Sequence, residues 1–324
     1  MLTRALALAL VALVGGCEPF FECPATRSSD YRGLETALSQ TGLFADISTE
    51  EVDDGVESYR PQFQLWSDGA DKRRWIRLPT GSQIDTSDMD AWQFPVGTRV
   101  WKEFSRDGVR VETRLIERTG AQLDAWSASS YLWRDDQSDA DLQPLGAIDA
   151  RGTAHDVPAA GECVACHGGR SSYVLGFSAV QLAYQSDEFL TLEDLVDRNL
   201  LSAPPAAVPQ VPGNETERQA LGYLHANCGH CHNRERPGGD ASPCYDPRNI
   251  LDFWLRVDAL DSPEVTPAYQ TAIGSKVVPG EPDQSVLIDR VSRRTYIYKM
   301  PPLGSDDVDD DAVALLRRWV EGLE

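Results

Sequence analysis

The sequence predicts an α+β protein: a β-rich N-terminal domain followed by an all-α domain. Residues 61–135 alternate apolar and polar side chains with a period of two, which is the signature of half-buried strands. From residue 214 onward the apolar side chains recur at helical spacing instead. Between them lies Ser202–Gly213, SAPPAAVPQVPG, which is too rich in proline for either element. The expected division is therefore a leader at 1–16, a β-rich domain at 17–200, a linker at 201–213 and a helical domain at 214–324.

The leader has a positive residue, Arg4, then an apolar run from Ala5 to Val14, then Gly15, Gly16 and Cys17. Ten apolar residues are too few to span a bilayer, which takes about 20, but they suit a secretory signal. Val14-Gly-Gly-Cys17 resembles the lipobox of bacterial lipoproteins, which implies lipid on Cys17. An exported chain anchored to a bacterial membrane, on its periplasmic face or at the cell surface, is the expectation. No later segment is apolar enough to cross a membrane.

Residues 18–60 read as irregular to helical, with helix-like spacing of Leu34, Ala37 and Leu38 within Asp30–Leu43. Trp75-Ile-Arg-Leu alternates as a strand. Arg99–Phe104 and Val109–Ile116 form a hairpin closed by Asp107-Gly108, a dipeptide that accepts the positive φ angles of a tight turn. Six of the eight tryptophans, Trp66, Trp75, Trp92, Trp101, Trp126 and Trp133, fall in this region and are read as its core. Leu190–Leu201 reads as a helix capped by Thr191 with Asp194 three residues on. Asn214 and Glu217 start the next helix, which puts Ala220, Leu221, Leu224 and Cys228 on one face. Ser305 is expected to cap the last helix. Its first turns hold Asp306, Asp307, Asp309, Asp310 and Asp311, its end holds Arg317 and Arg318, and Val308, Ala312, Leu315, Leu316, Trp319 and Leu323 form its stripe. Carboxylates there suit the positive end of the helix dipole and lack the alternate spacing of a calcium loop.

Two pentapeptides carry the chemistry: Cys163-Val-Ala-Cys166-His167 and Cys228-Gly-His-Cys231-His232. C-x-x-C-H attaches a c-type haem. The thiols of Cys163, Cys166, Cys228 and Cys231 add to vinyl groups, and His167 and His232 become axial ligands of the iron. With 5 histidines in 324 residues, two chance occurrences are not expected. Two haem c groups are the predicted cofactors. A zinc ribbon spaces its C-x-x-C units by about 15–20 residues, whereas Cys166 and Cys228 stand 62 apart (228 − 166). Of seven cysteines, lipid and haem leave Cys23 and Cys244, an even remainder that suits a disulfide in an exported chain.

Met300, in Lys-Met-Pro-Pro-Leu-Gly, lies 68 residues after His232 (300 − 232) and is the expected sixth ligand of the second iron. The prolines fix the backbone around it. Met89 is expected to be exposed. For the first iron the candidates are His155 and His225, with His225 favoured because it lies one turn before Cys228; His230 is expected to face solvent.

The order helix, C-x-x-C-H, Met-Pro, final helix resembles a class I cytochrome c domain, although Leu224 stands where an aromatic is common. Leu65-Trp-Ser-Asp-Gly-Ala-Asp-Lys, Phe94-Pro-Val-Gly-Thr, Trp101-Lys-Glu-Phe, Glu112-Thr-Arg-Leu, Leu175-Gly-Phe-Ser-Ala-Val-Gln-Leu and Leu224-His-Ala-Asn-Cys are similar to a family of bacterial exported dihaem c-type cytochromes. The resemblance covers roughly residues 35–324 and implies haem binding and electron transfer. The alternative is a dihaem peroxidase- or oxygenase-like enzyme, with the first haem as reaction site and the second as relay. A net charge of −21 argues against nucleic acid and suits other redox proteins as partners, basic ones above all.

Overall fold

The structure, a computed structural model, describes residues 34–236, 249–295 and 298–324. Residues 1–16, expected to be a leader, and Cys17, Cys23 and Cys244 lie outside the described residues. The fold is mixed α+β, and its N-terminal region is built on an antiparallel sheet of six strands in sequence order: β3 (Val56–Ser58), β4 (Asp71–Arg77), β5 (Arg99–Arg106), β6 (Val109–Arg118), β7 (Trp126–Trp133) and β8 (Ala140–Leu142). A small two-stranded sheet, β1 (Phe44–Asp46) with β2 (Glu51–Val52), precedes it. The expected hairpin is present: Arg106 pairs with Val109, and Asp107 and Gly108 turn with φ of 50° and 79°.

The two faces of the sheet differ. On one, Trp75, Trp101, Leu115, Tyr131 and Trp133 join Leu38, Leu43 and Phe44 in a buried cluster. The indole N–H groups stay satisfied, Trp101 Nε1 donating to Thr41 Oγ1 at 3.1 Å and Trp133 Nε1 to Thr113 Oγ1 at 3.0 Å. On the other face Ile76, Val100 and Ile116 enter a second cluster with Trp92, Phe94, Phe177 and Leu195. The rows beside them are charged: Arg74, Lys102 and Arg114 pair across three strands, and Lys72, Phe104 and Glu112 form the next row.

Helices follow: α1 (Cys163–His167), α2 (Ala179–Leu182), α3 (Leu192–Asp197), α4 (Glu215–Asn227), α5 (Pro267–Ala272), α6 (Val286–Ser292) and α7 (Asp310–Glu321). In α4 the Asn214 side chain accepts from the Glu217 N–H, and Glu217 returns a bond to the Asn214 N–H at 2.8 Å. Leu221 and Leu224 then pack on Leu316, Trp319 and Val320 of α7. Phe63 and Val180 belong to the same cluster, so the two halves of the chain share a core. Polar contacts add to it: Asn227 Oδ1 accepts from the Trp66 N–H at 2.7 Å, and its Nδ2 donates to the Gln64 carbonyl. The proline-rich stretch is without helix, and it begins on the N-terminal region, where the Ser202 N–H donates to the Ile84 carbonyl. Among the described residues no helix is long and apolar enough to cross a membrane.

Three expectations change. Within Asp30–Leu43 the described residues hold only a 3₁₀ turn at Leu38–Gln40, because Gly42 takes a φ of 73° and the chain turns into β1. The helix expected at Leu190–Leu201 shortens to α3. Thr191 and Asp194 cap it as foreseen, but Asn199 at φ 54° ends it. Ser305 is no cap: its hydroxyl donates to the Pro301 carbonyl, and α7 starts five residues later, with the Asp309 carboxylate accepting from the Ala312 N–H.

Candidate haem-attachment site

The first motif is itself a helical turn. A 3₁₀ turn at Ala160–Glu162 leads into α1, and the i, i+3 spacing sets Cys163 and Cys166 on one side of it. His167 is half-buried, and desolvation lowers its pKa to about 4, so the ring is neutral. Its Nδ1 lies 2.7 Å from the Tyr173 carbonyl, to which it donates, and Nε2 has no partner among the described residues. Tyr173 holds that carbonyl in place from a left-handed backbone position, φ 60°, while its ring stacks on Trp126 at 5.4 Å. A neutral imidazole oriented by a bond at Nδ1 is the form that can ligate a metal through Nε2.

The second motif follows α4 directly. The Cys228 N–H closes the helix on the Leu224 carbonyl, and the His232 N–H donates to the Cys228 carbonyl at 2.8 Å, so the pentapeptide is again a tight turn. His232 is held differently. Asn249 Nδ2 lies 2.5 Å from its Nδ1, while Asn249 Oδ1 accepts from the Leu251 N–H. In that arrangement Nδ1 is the acceptor. Ligation through Nε2 requires the amide to turn over, so that Nδ1 donates to Oδ1. Asn249 also lines a cleft of about 830 Å³ whose wall includes Arg234, Arg236 and Arg256.

The two motifs touch, although 62 residues separate Cys166 from Cys228 (228 − 166). Cys231 Sγ lies 3.9 Å from the Ala165 carbonyl. Asn233, fully buried, donates through Nδ2 to the Gly169 carbonyl of the first motif's exit and to the Gly229 and His230 carbonyls of its own turn. Arg170 pairs with Glu235 at 3.0 Å. Nothing in the sequence marks Asn233 and Arg170 for this role, since their partners are backbone or distant in sequence.

All four motif cysteines are free thiols. Burial raises Cys163 to about 11 and Cys228 to about 12, and raises Cys166 and Cys231 as well. These groups are neutral at neutral pH. Among the described residues no group of three or more His, Cys, Asp and Glu side chains is placed to hold a metal ion. Neutral thiols three apart beside an imidazole with Nε2 unengaged suit thioether attachment of a macrocycle, and the first motif meets that requirement as it stands.

The other predicted ligands are distributed unevenly. His225 is buried and neutral, with burial lowering its pKa to about 3, but its Nδ1 accepts from the Leu255 N–H at 3.1 Å and its ring lies against Trp254. The proton then sits on Nε2, and ligation would require that bond to break. His155 Nε2 is 2.9 Å from Glu112 Oε2 in a buried pair. His230, expected to face solvent, is buried and donates to the Ala226 carbonyl, because the turn folds back under the first motif. Met89, expected to be exposed, is half-buried, because its side chain packs against the second apolar cluster. Met300 is half-buried, with its N–H donating to the Arg290 carbonyl.

Comparison with family models, with curated proteins and with solved structures gave no match.

Proposed function

We propose that this chain is an exported dihaem c-type cytochrome that passes electrons between redox partners. The observation that carries this reading is the contact between the two C-x-x-C-H turns, Cys231 Sγ lying 3.9 Å from the Ala165 carbonyl. Cofactors fixed to these neighbouring turns would be held near one another, as electron exchange between them requires. Cys163, Cys166 and His167 would hold the first haem, and Cys228, Cys231 and His232 the second, with Met300 as the thioether ligand of the second iron. Each haem, when bound, supplies an iron that takes up and gives back one electron. The protein's part is to bury and orient the ligands, as the Tyr173 carbonyl does for His167.

A second reading, a dihaem enzyme with its first iron open, is favoured by one observation: the rings of His155 and His225 are both engaged by other partners. Spectra of the mature protein separate the two. An electron carrier gives two reversible one-electron steps and low-spin ferric signals, and Met300→Ala removes the weak near-infrared band of a Met-ligated haem and lowers that haem's potential. A high-spin ferric signal in the wild type, with rapid cyanide binding, would replace the carrier by the enzyme. An unchanged near-infrared band in Met300→Ala would remove Met300 from the iron.

A further inference from the structure

Arg74, Lys102 and Arg114 stand directly opposite one another on β4, β5 and β6. Like charges at directly opposed positions repel, and in this row Arg74 is buried while Lys102 and Arg114 are half-buried. Arg114 has a counterion: its guanidinium makes two bonds, at 2.7 and 2.8 Å, to the Glu112 carboxylate, which His155 also contacts. The other two do not. Arg74, 5% exposed, bonds only the amide oxygen of Gln64 at 3.1 Å, and Lys102 lies over the Phe104 ring at 4.6 Å. Among the described residues neither has a carboxylate within ion-pair distance. A buried cation without a counterion is costly, so the buried guanidinium of Arg74 beside Lys102 suits an anion that completes the pair.

There is room for one. Arg74 and Lys102 line a small internal cavity of about 40 Å³, together with Gln181, His225, His230 and Trp254. Trp254 Nε1 is buried without an acceptor among the described residues, a further donor in the wall. The volume is close to the share of one or two waters. It accepts a carboxylate and excludes a porphyrin ring.

The row also adjoins the first motif. Arg114 acts electrostatically on both Cys163 and Cys166, and Lys102 on Cys166. A haem held by thioether bonds carries two propionate carboxylates on the opposite side of its ring. A free anion, by contrast, must approach a chain of net charge −21, which repels it. We infer that Arg74 and Lys102 form a carboxylate site, and that its occupant is a propionate of the haem joined to Cys163 and Cys166. This rests on the dihaem reading above.

The test uses the mature holoprotein, with haem content fixed first by mass. Fewer than two haems defeats the dihaem reading itself, and this inference with it. With two present, the two midpoint potentials are measured at fixed pH and ionic strength in wild type, Arg74→Gln, Lys102→Gln and Lys102→Arg. Lys102→Met serves as a second neutral variant should the Gln form fail to fold. A cation beside a propionate favours the reduced haem. Both neutral variants should therefore lower the potential of the haem without Met ligation, leave the other unchanged, and be rescued by Lys102→Arg. Added formate should change nothing, because the site is already filled. Unmoved potentials would overturn the site. A wild-type potential that shifts with formate, and stops doing so in Lys102→Gln, would overturn the propionate in favour of a free anion.

Discussion

Glu112 is the residue on which the charged side of the sheet depends. It is fully buried between Arg114 and His155. Burial alone would raise its pKa, but the Arg114 guanidinium and the His155 hydrogen bond outweigh that and hold it at about 2, against an ordinary 4.5. Glu112→Gln should cost about 1.5–3 kcal/mol in urea unfolding, since it takes the counterion from the half-buried Arg114 and the charged partner from the buried His155. A loss below about 1 kcal/mol would show that water already compensates the charge. The acid response has a definite sign. The carboxylate's contribution is complete above pH 4.5 and is lost as pH falls towards 2. His225, buried neutral with a pKa lowered from 6.5 to about 3, behaves alike: its unfolded form takes up a proton first, so stability falls as pH drops below 6.5. Each group contributes a slope of up to about 1.4 kcal/mol per pH unit in its window. His225→Gln should reduce the slope between pH 6.5 and 4 by up to about 1.4 kcal/mol per pH unit, leaving the share of His167 and His230, whose pKa values are lowered in the same direction, and the slope due to Glu112. An unchanged slope above pH 4 would place the His225 ring in water.

At the scale of elements, α4 fixes both the second motif and the junction of the halves. A Cβ at Gly222 would overlap the Phe63 ring, which packs closely against the helix there. Alanine normally favours a helix over glycine by about 1 kcal/mol. Here Gly222→Ala should instead destabilise by about 1–3 kcal/mol through overpacking, and Phe63→Leu should restore part of the loss in the double variant. A stabilised single variant would mean that α4 does not seat on Phe63. The capping pair of α4 was legible in the sequence because Asn214 and Glu217 act within one turn. So was the β5–β6 hairpin, whose two-residue turn is local chemistry. The strands β1, β2 and β3 were not, being two or three residues long and therefore without a measurable period. Ser305 misled because it precedes a run of aspartates any of which can cap. Asp309 takes the place because the Ser305 hydroxyl is spent on the Pro301 carbonyl.

In the whole molecule, the residues of the candidate site were legible and their surroundings were not. Five residues define each C-x-x-C-H turn, so its cysteines and the histidine that follows them stand out in the sequence alone. That the turns touch depends on Asn233 and Arg170 reaching across more than 60 residues, and that His230 is buried depends on the same docking. The sheet's cationic row was equally hidden, because register and not sequence places Arg74 opposite Lys102 opposite Arg114. Cys17, the expected site of a lipid anchor, lies outside the described residues and is open to a direct trial: Cys17→Ser should move the protein from the membrane fraction to the soluble one, and a wild type already soluble would dismiss the anchor. The central claim is two covalent haems on adjoining turns. The intact mass of the protein, matured where haem attachment takes place, should exceed that of the processed chain by two haems, and by one in either Cys163→Ser/Cys166→Ser or Cys228→Ser/Cys231→Ser. A wild type carrying one haem or none, or haem that acid–acetone extracts, would contradict it.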